Sequence, residues 1–449
     1  MKKRLTIQNS LRFNGVKLVV MLLGAAVAVS PAWSQTTVVT AASATSKLDP
    51  LLVFVSCALI FLMQAGFALL EAGQARAKNT VNVLMKNYCD LCFGAIAFWA
   101  VGYGLMFGVN HTGWVGMSAF FAHGLAGQDL TYFVFQMMFA ATSATIVSGA
   151  VAERTKFWGY IAMSIVVSGL IYPVYGAWAW GGWQGGKGWL AAMGYRDFAG
   201  SSVVHAVGGW CAMAALMVIK PRLGRYGSDG SARLIQGHNL SLVALGGLLL
   251  WFGWFGFNGG SLLKVSDQLG LVILNTHLGG AAAVVSALLG LHLFKQPILL
   301  STVVNAGLAG LVAVTAAADV LQPGMSILIG GIAAGLAIVS MRLFDKWRFD
   351  DMVGAVSVHA IGGTWGVVAA GIFYTGSNDY MTQLSVQCLG AAAAFLWAFP
   401  VAWISFSLIH AGFGLRVDSM TEQRGLDFVE HFEIAYPEFQ KTPLHQGKA

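Results

Sequence analysis

Between residues 50 and 410 the chain runs through one apolar stretch of roughly 20 residues after another, with charges held to the gaps. Segments of that length and composition cannot be covered by a polar surface. Only 10% of the residues are charged, against about 25% in an ordinary soluble domain. A bilayer is the solvent that such segments fit, and a bilayer admits only helices or a closed barrel. The runs are continuous and rich in Gly, Ala and Leu rather than alternating, so they read as helices. The 56 glycines suit close helix–helix approach in lipid. The expected fold class is an all-α polytopic membrane protein with 11 transmembrane helices, at 50–71, 91–109, 131–152, 157–179, 199–219, 238–260, 270–294, 298–318, 325–343, 352–373 and 383–410.

The first residues have a different logic. Lys2, Lys3, Arg4 and Arg12 precede an apolar core from Val16 to Val29 that Lys17 interrupts near its start, and Ala32-Trp33-Ser34 offers a small-residue cleavage site. Residues 1–34 therefore read as a secretory signal peptide, which leaves the mature amino terminus periplasmic. From that start, Arg76, Lys78, Lys86, Arg154, Lys156, Arg222, Arg225 and Arg233 fall in inner loops, while the outer loops hold only Lys187, Arg196 and Lys264. This asymmetry orients the chain in a cell inner membrane with its carboxyl terminus cytoplasmic. It also accounts for the net charge of +7 without a nucleic-acid partner. The partners of such a surface are membrane lipids. Cys89-x-x-Cys92 has no matching pair elsewhere, so no metal or other cofactor is expected.

Two segments echo each other. Val204-His205-Ala206-Val207-Gly208-Gly209-Trp210 lies in the fifth span, and Val358-His359-Ala360-Ile361-Gly362-Gly363-Thr364-Trp365 in the tenth. Five spans apart, they cross in opposite directions, which implies an inverted 5+5 repeat with one extra helix. Two symmetry-related histidines inside apolar spans point to a pore site, because ionisable residues there are costly. A pair sharing one hydrogen bond can remain neutral and still bond a small polar solute. Asp197, eight residues before His205, lies about 12 Å further out. It can cap the helix, or stabilise an entering cation, or both. The Trp251–Ser261 segment interleaves aromatic rings with glycines and ends in a hydroxyl, a combination able to hold a small cation that also donates hydrogen bonds. Phe139 in the third span and Trp180 at the end of the fourth offer further walls.

At these residues the chain resembles the ammonium transporter (Amt/Mep/Rh) family, as a bacterial Amt-type channel. The matching motifs are Met63-Gln64-Ala65-Gly66-Phe67-Ala68, Arg76-Ala77-Lys78-Asn79, Ala152-Glu153-Arg154, Asp197-Phe198-Ala199-Gly200, Trp254-Phe255-Gly256-Phe257-Asn258-Gly259-Gly260-Ser261, and Asp350-Asp351 leading to His359. The resemblance implies a homotrimer with one pore per subunit, carrying ammonium or ammonia and methylammonium, and no enzymatic activity. It implies that Phe139, Trp180 and Ser261 recruit the cation and that Asp197 supports them. Phe139 and Phe257 would be the gate, His205 and His359 the twin pore histidines, and Trp254 a pore wall. Trp183–Gly188 lengthens the loop after Trp180, which leaves Trp178 as an alternative to it. Gly354 stands where many relatives carry an acid, so a second, symmetry-related carboxylate is expected to be missing. Glu71 is expected near the inner mouth, with no role assigned.

Residues 35–410 thus form the transport domain and 411–449 a cytoplasmic tail. The tail motifs Gly414-Leu415-Arg416-Val417 and Gly425-Leu426-Asp427, with His431 and Tyr436, also resemble the family, where a PII-type regulator docks at this face. The tail is expected to lie on the loop holding Arg222, Arg225 and Arg233 through modest surface ion pairs. Two other readings are an ammonium sensor acting through a partner and an Rh-type channel for neutral ammonia or carbon dioxide. A water or glycerol channel would be expected to show Asn-Pro-Ala half-helices, and the sequence has none.

Overall fold

The computed structural model describes residues 48–373, 376 and 379–439. The signal segment expected over 1–34 lies outside the described residues. Among those described, nine helices are long and apolar enough to cross a membrane. They are α1 (Asp49–Gln74), α2 (Ala77–Phe107), α3 (Gln128–Val151), α4 (Phe157–Trp180), α5 (Ser201–Ile219), α6 (Leu240–Gly260), α7 (Gln268–Leu293), α9 (Pro323–Lys346) and α11 (Tyr380–Phe413). Two shorter apolar helices, α8 (Leu300–Val314) and α10 (Val356–Ile372), stand at the eighth and tenth expected spans. No strand occurs among the described residues, only isolated bridges between loops.

The 15 residues of α8 reach about 22 Å, short of the ~30 Å of a hydrocarbon core. Backbone left open at that depth must be satisfied by protein. Here the carbonyls of Thr315 and Ala316 accept the N–H groups of Ala199 and Phe198, at 3.1 and 2.8 Å. The end of α8 is thereby tied to the loop that introduces α5.

The start of α2 departs from expectation by more than three turns. The polar residues at 79–90 read as loop, yet Asn79, Asn82, Lys86, Asn87 and Asp90 are all fully buried. Lys86 Nζ donates to the Thr155 carbonyl at 2.7 Å, and Asp90 accepts from Gln64, Thr145 and Tyr160. Polar side chains are tolerated in a span when neighbouring helices supply their partners. Lys86 is therefore a helix-interior residue rather than a loop charge.

The inverted repeat is visible in how α5 meets α10. Each opens with a stretch of π-helix, Ser201–Ala206 and Val356–Ile361, and each stretch contains its histidine. A Cβ on Gly209 would lie 2.3 Å from the Ala360 nitrogen, and one on Gly363 would lie 2.9 Å from the Ala206 nitrogen. The contacts are reciprocal. Each helix passes over the residue that follows the other's histidine, and only glycine permits that distance.

At the face carrying most of the basic residues, Arg222 bridges Glu153 and Asp350, both at 2.8 Å, and Arg76 reaches Glu153 at 3.0 Å. Burial pushes the Glu153 carboxyl up, but the guanidiniums of Arg222 and Arg76 overcome it and hold it at about 2. The tail corrects its own expectation. Among the described residues no ion pair joins it to Arg222, Arg225 or Arg233, and its pair Arg416–Glu422 is internal; Leu415, Glu422, Leu426 and Asp427 are instead buried. Glu422 accepts from the Leu223 N–H at 2.6 Å, Asp427 from the Asn82 N–H at 2.8 Å, and Glu430 from the Phe157 N–H at 3.0 Å. These carboxylates cap backbone groups near the starts of α2 and α4 and in the loop after α5, so the tail braces the face that it covers.

Candidate functional site

A single file of rings runs through the middle of the helix bundle. Trp180 meets Phe139 edge to face, with centroids 6.1 Å apart. Phe139 stacks on Phe257 at 4.2 Å and 28°. Phe257 leads to His205 at 5.3 Å, His205 to His359 at 5.3 Å, and His359 to Phe67 at 6.0 Å. Trp254 flanks the file, 5.0 Å from His205, with its indole N–H donated to Thr315 Oγ1 at 2.8 Å. All come from one chain. Phe139 and Phe257 are buried and in contact, so no hydrated ion fits between them.

The two imidazoles face each other through Nδ1, 3.2 Å apart. One must donate and the other accept, so at least one ring is neutral. His205 Nε2 is buried and without a partner among the described residues. π-Helical turns often mark functional positions, because they shift the side-chain register by one residue.

The two tryptophans separate clearly. Trp180 is the tryptophan whose ring meets Phe139, while Trp178 packs against Trp114, Trp189 and Trp397 away from the file. The Trp180 indole donates to the Asp197 carbonyl at 2.7 Å. Ser261 is half-buried one turn beyond Phe257, its hydroxyl donated to the Phe257 carbonyl at 2.8 Å. Asp197 is 4% exposed and accepts from the N–H groups of Gly200, Ser201, Ser202 and Val203 and from the Ser202 hydroxyl. A carboxylate offers about four lone-pair sites, so these five donors saturate it. Of the two roles expected of Asp197, a helix cap and a charge for an entering cation, these bonds are those of the cap.

The second acid expected to be missing is present. Asp351 accepts from the N–H groups of Ala355 and Val356, at 3.0 and 2.8 Å, and stands eight residues before His359 as Asp197 stands before His205. Gly354 matches Gly200, with φ +75° and +107°, the left-handed turn that lets each carboxylate fold back over its helix start. The full echo is thus Asp-x-x-Gly, four residues, then His-Ala. Its eight-residue spacing was the signal that sequence reading overlooked. Glu71 is the other residue without an assigned role. It lines a cavity of about 20 Å³ beneath His359, together with Phe67, Ile146, Asn305 and Val353, with room for one water-sized molecule.

Residues 51–436 match the family model described as Ammonium Transporter Family. The ammonium transporter Amt2 of Archaeoglobus fulgidus is 43% identical over 415 residues, covering 86% of this chain and 87% of that one. The ammonium transporter Amt1 of Haloferax mediterranei is 38% identical over 403 residues, covering 85% and 78%. Among solved structures, a sensor Amt protein superposes with a TM-score of 0.83 at 41% identity, covering 86% of this chain and 98% of that one. The Candida albicans Mep2 crystal structure gives a TM-score of 0.78 at 25% identity, covering 89% and 94%.

Proposed function

The chain belongs to the ammonium transporter family, and from that premise we propose that it recruits ammonium at Phe139, Trp180 and Ser261 and conducts ammonia past Phe257, Trp254, His205 and His359. The observation that carries this reading is the continuous file of rings leading through two histidines joined at Nδ1. A bare cation at the centre of a membrane costs several kcal/mol or more. Ammonium avoids that cost by leaving a proton behind, which potassium cannot do. The rings at the entrance attract the cation through their π-faces, and the Phe139–Phe257 stack rejects its hydration shell. Past the stack, ammonia donates to and accepts from neutral imidazoles.

The test is a current and pH recording on proteoliposomes given ammonium, methylammonium or potassium pulses. Ammonium and methylammonium are expected to be carried and potassium excluded. Potassium flux of comparable size would overturn the reading.

Since the file is built from one chain, each subunit of a homotrimer has its own pore. Mass photometry giving one or two copies would remove the trimer. The excess of basic residues supports an inner-membrane orientation with the tail cytoplasmic. There the tail offers a docking face for a PII-type regulator. Removal of the chain from Gly414 onward is expected to lower thermal stability, because it uncovers the Asn82, Phe157 and Leu223 N–H groups, and to abolish PII inhibition of flux. Unchanged PII pull-down by the truncated protein would assign docking to the loops alone. The likeness to a sensor Amt protein favours one second reading, that flux also serves as a signal. Deletion of the gene with rescue by a non-conducting variant would separate signalling from nitrogen uptake.

A further inference from the structure

Beneath the histidine pair, the geometry points to Glu71 as the acid–base group that returns a proton to ammonia at the inner end of the pore. This rests on the pore reading above. Glu71 follows Phe67 by one turn of α1, on the same face, and Phe67 is the ring that meets His359. Both residues line the small cavity that His359 closes from above. Glu71 is 1% exposed and makes no ion pair among the described residues. Asn87 Nδ2 donates to its Oε2 at 2.8 Å, and Asn87 is itself bonded to the Val83 carbonyl at 3.1 Å, so the carboxyl is held in place. Gly149 makes room for it: a Cβ there would lie 3.2 Å from Glu71 Cδ and 2.5 Å from Val353 Cγ2.

The neighbouring titratable groups are engaged elsewhere. Asp90 is held by Gln64, Thr145 and Tyr160, and Lys86 by the Thr155 carbonyl. Across the cavity His359 is bonded to His205 through Nδ1. Glu71 is therefore the carboxyl placed to meet a molecule leaving His359. A buried carboxylate is costly on its own and stable when a cation shares its cavity. The step follows from that. Ammonia enters the cavity and its lone pair takes the proton of the Glu71 carboxyl. The O–H bond breaks, an N–H bond forms, and ammonium is left beside a carboxylate. Ammonium then departs to the inner side, and a hydronium ion from the aqueous phase reprotonates Glu71. The balance is one ammonia plus one proton from that phase, giving one ammonium in it.

Glu71→Gln tests this in full-length protein reconstituted in proteoliposomes, beside wild type and His359→Ala. Glutamine keeps an oxygen for Asn87, so a purely structural carboxyl is rescued by it. The expected result is a fall in maximal ammonium flux of roughly 100-fold, the scale of general acid–base catalysis, with KM little changed and thermal stability retained. Wild type is also expected to show a carboxyl infrared band that shifts when ammonium is added and is absent in Glu71→Gln. Wild-type flux in Glu71→Gln while His359→Ala is inactive overturns the role of Glu71 and leaves the pore reading standing. An ammonium-insensitive carboxyl band in wild type overturns it as well, whether or not the variant folds. Full flux in His359→Ala would instead remove the pore reading and this inference with it.

Discussion

Alanine at His205 or at His359 is expected to reduce ammonium flux by roughly 10–100-fold. On the proposed route the file offers a passing molecule a hydrogen-bond partner in an apolar setting, and removing a buried partner costs about 1–3 kcal/mol. Each ~1.4 kcal/mol is tenfold in rate. His205 lies between Phe257 and His359 and is bonded to His359 through Nδ1 at 3.2 Å, so losing either ring also frees the other's Nδ1. The space left is large enough to admit water, and preference for ammonium over potassium is expected to fall in the same variants. Flux and selectivity should be measured together in proteoliposomes. Wild-type values of both in both variants would sink the pore role.

Asp197→Ala is expected to destabilise the protein by roughly 2–6 kcal/mol, since several of the five donors now on the carboxylate would be left buried without an acceptor. The loop it fixes also supplies the Asp197 carbonyl that holds the Trp180 indole, so the entrance is expected to lose its shape with the cap. Asp197→Asn retains one acceptor oxygen and can still cap, so it should unfold closer to wild type. Thermal unfolding of purified protein, set beside flux, divides the two contributions. If Asn unfolds like wild type but transports no better than Ala, the charge is what matters. Full stability and flux in Ala would remove Asp197 from the site.

Some of this was legible in the residues. The apolar runs set a helical membrane architecture because span length and the cost of exposed backbone in lipid are local quantities. The Val-His-Ala echo announced the inverted repeat because both halves need glycine four residues after the histidine, where the helices cross. The Asp-x-x-Gly preceding each histidine is equally present at 197–200 and 351–354, but with Gly354 taken as the position of the second acid its match to Gly200 is visible only in the left-handed glycines that fold each carboxylate over its helix start.

Other features depended on partners distant in sequence. Nothing near residues 79–90 says that Lys86, Asn87 and Asp90 belong inside a helix bundle; Thr155, Glu71, Gln64 and Tyr160 make that possible. The choice of Trp180 over Trp178 rests on which ring reaches Phe139. The tail's carboxylates bond N–H groups left open near the starts of α2 and α4 and in the loop after α5. Glu71 gained a neighbour in His359 only when α1 and α10 closed around one cavity. A sequence by itself determines where the chain can cross a membrane, because that is decided residue by residue against lipid. Which polar groups end up facing one another inside is decided only by the tertiary structure, because a buried donor or charge is stable according to the partner that folding brings to it.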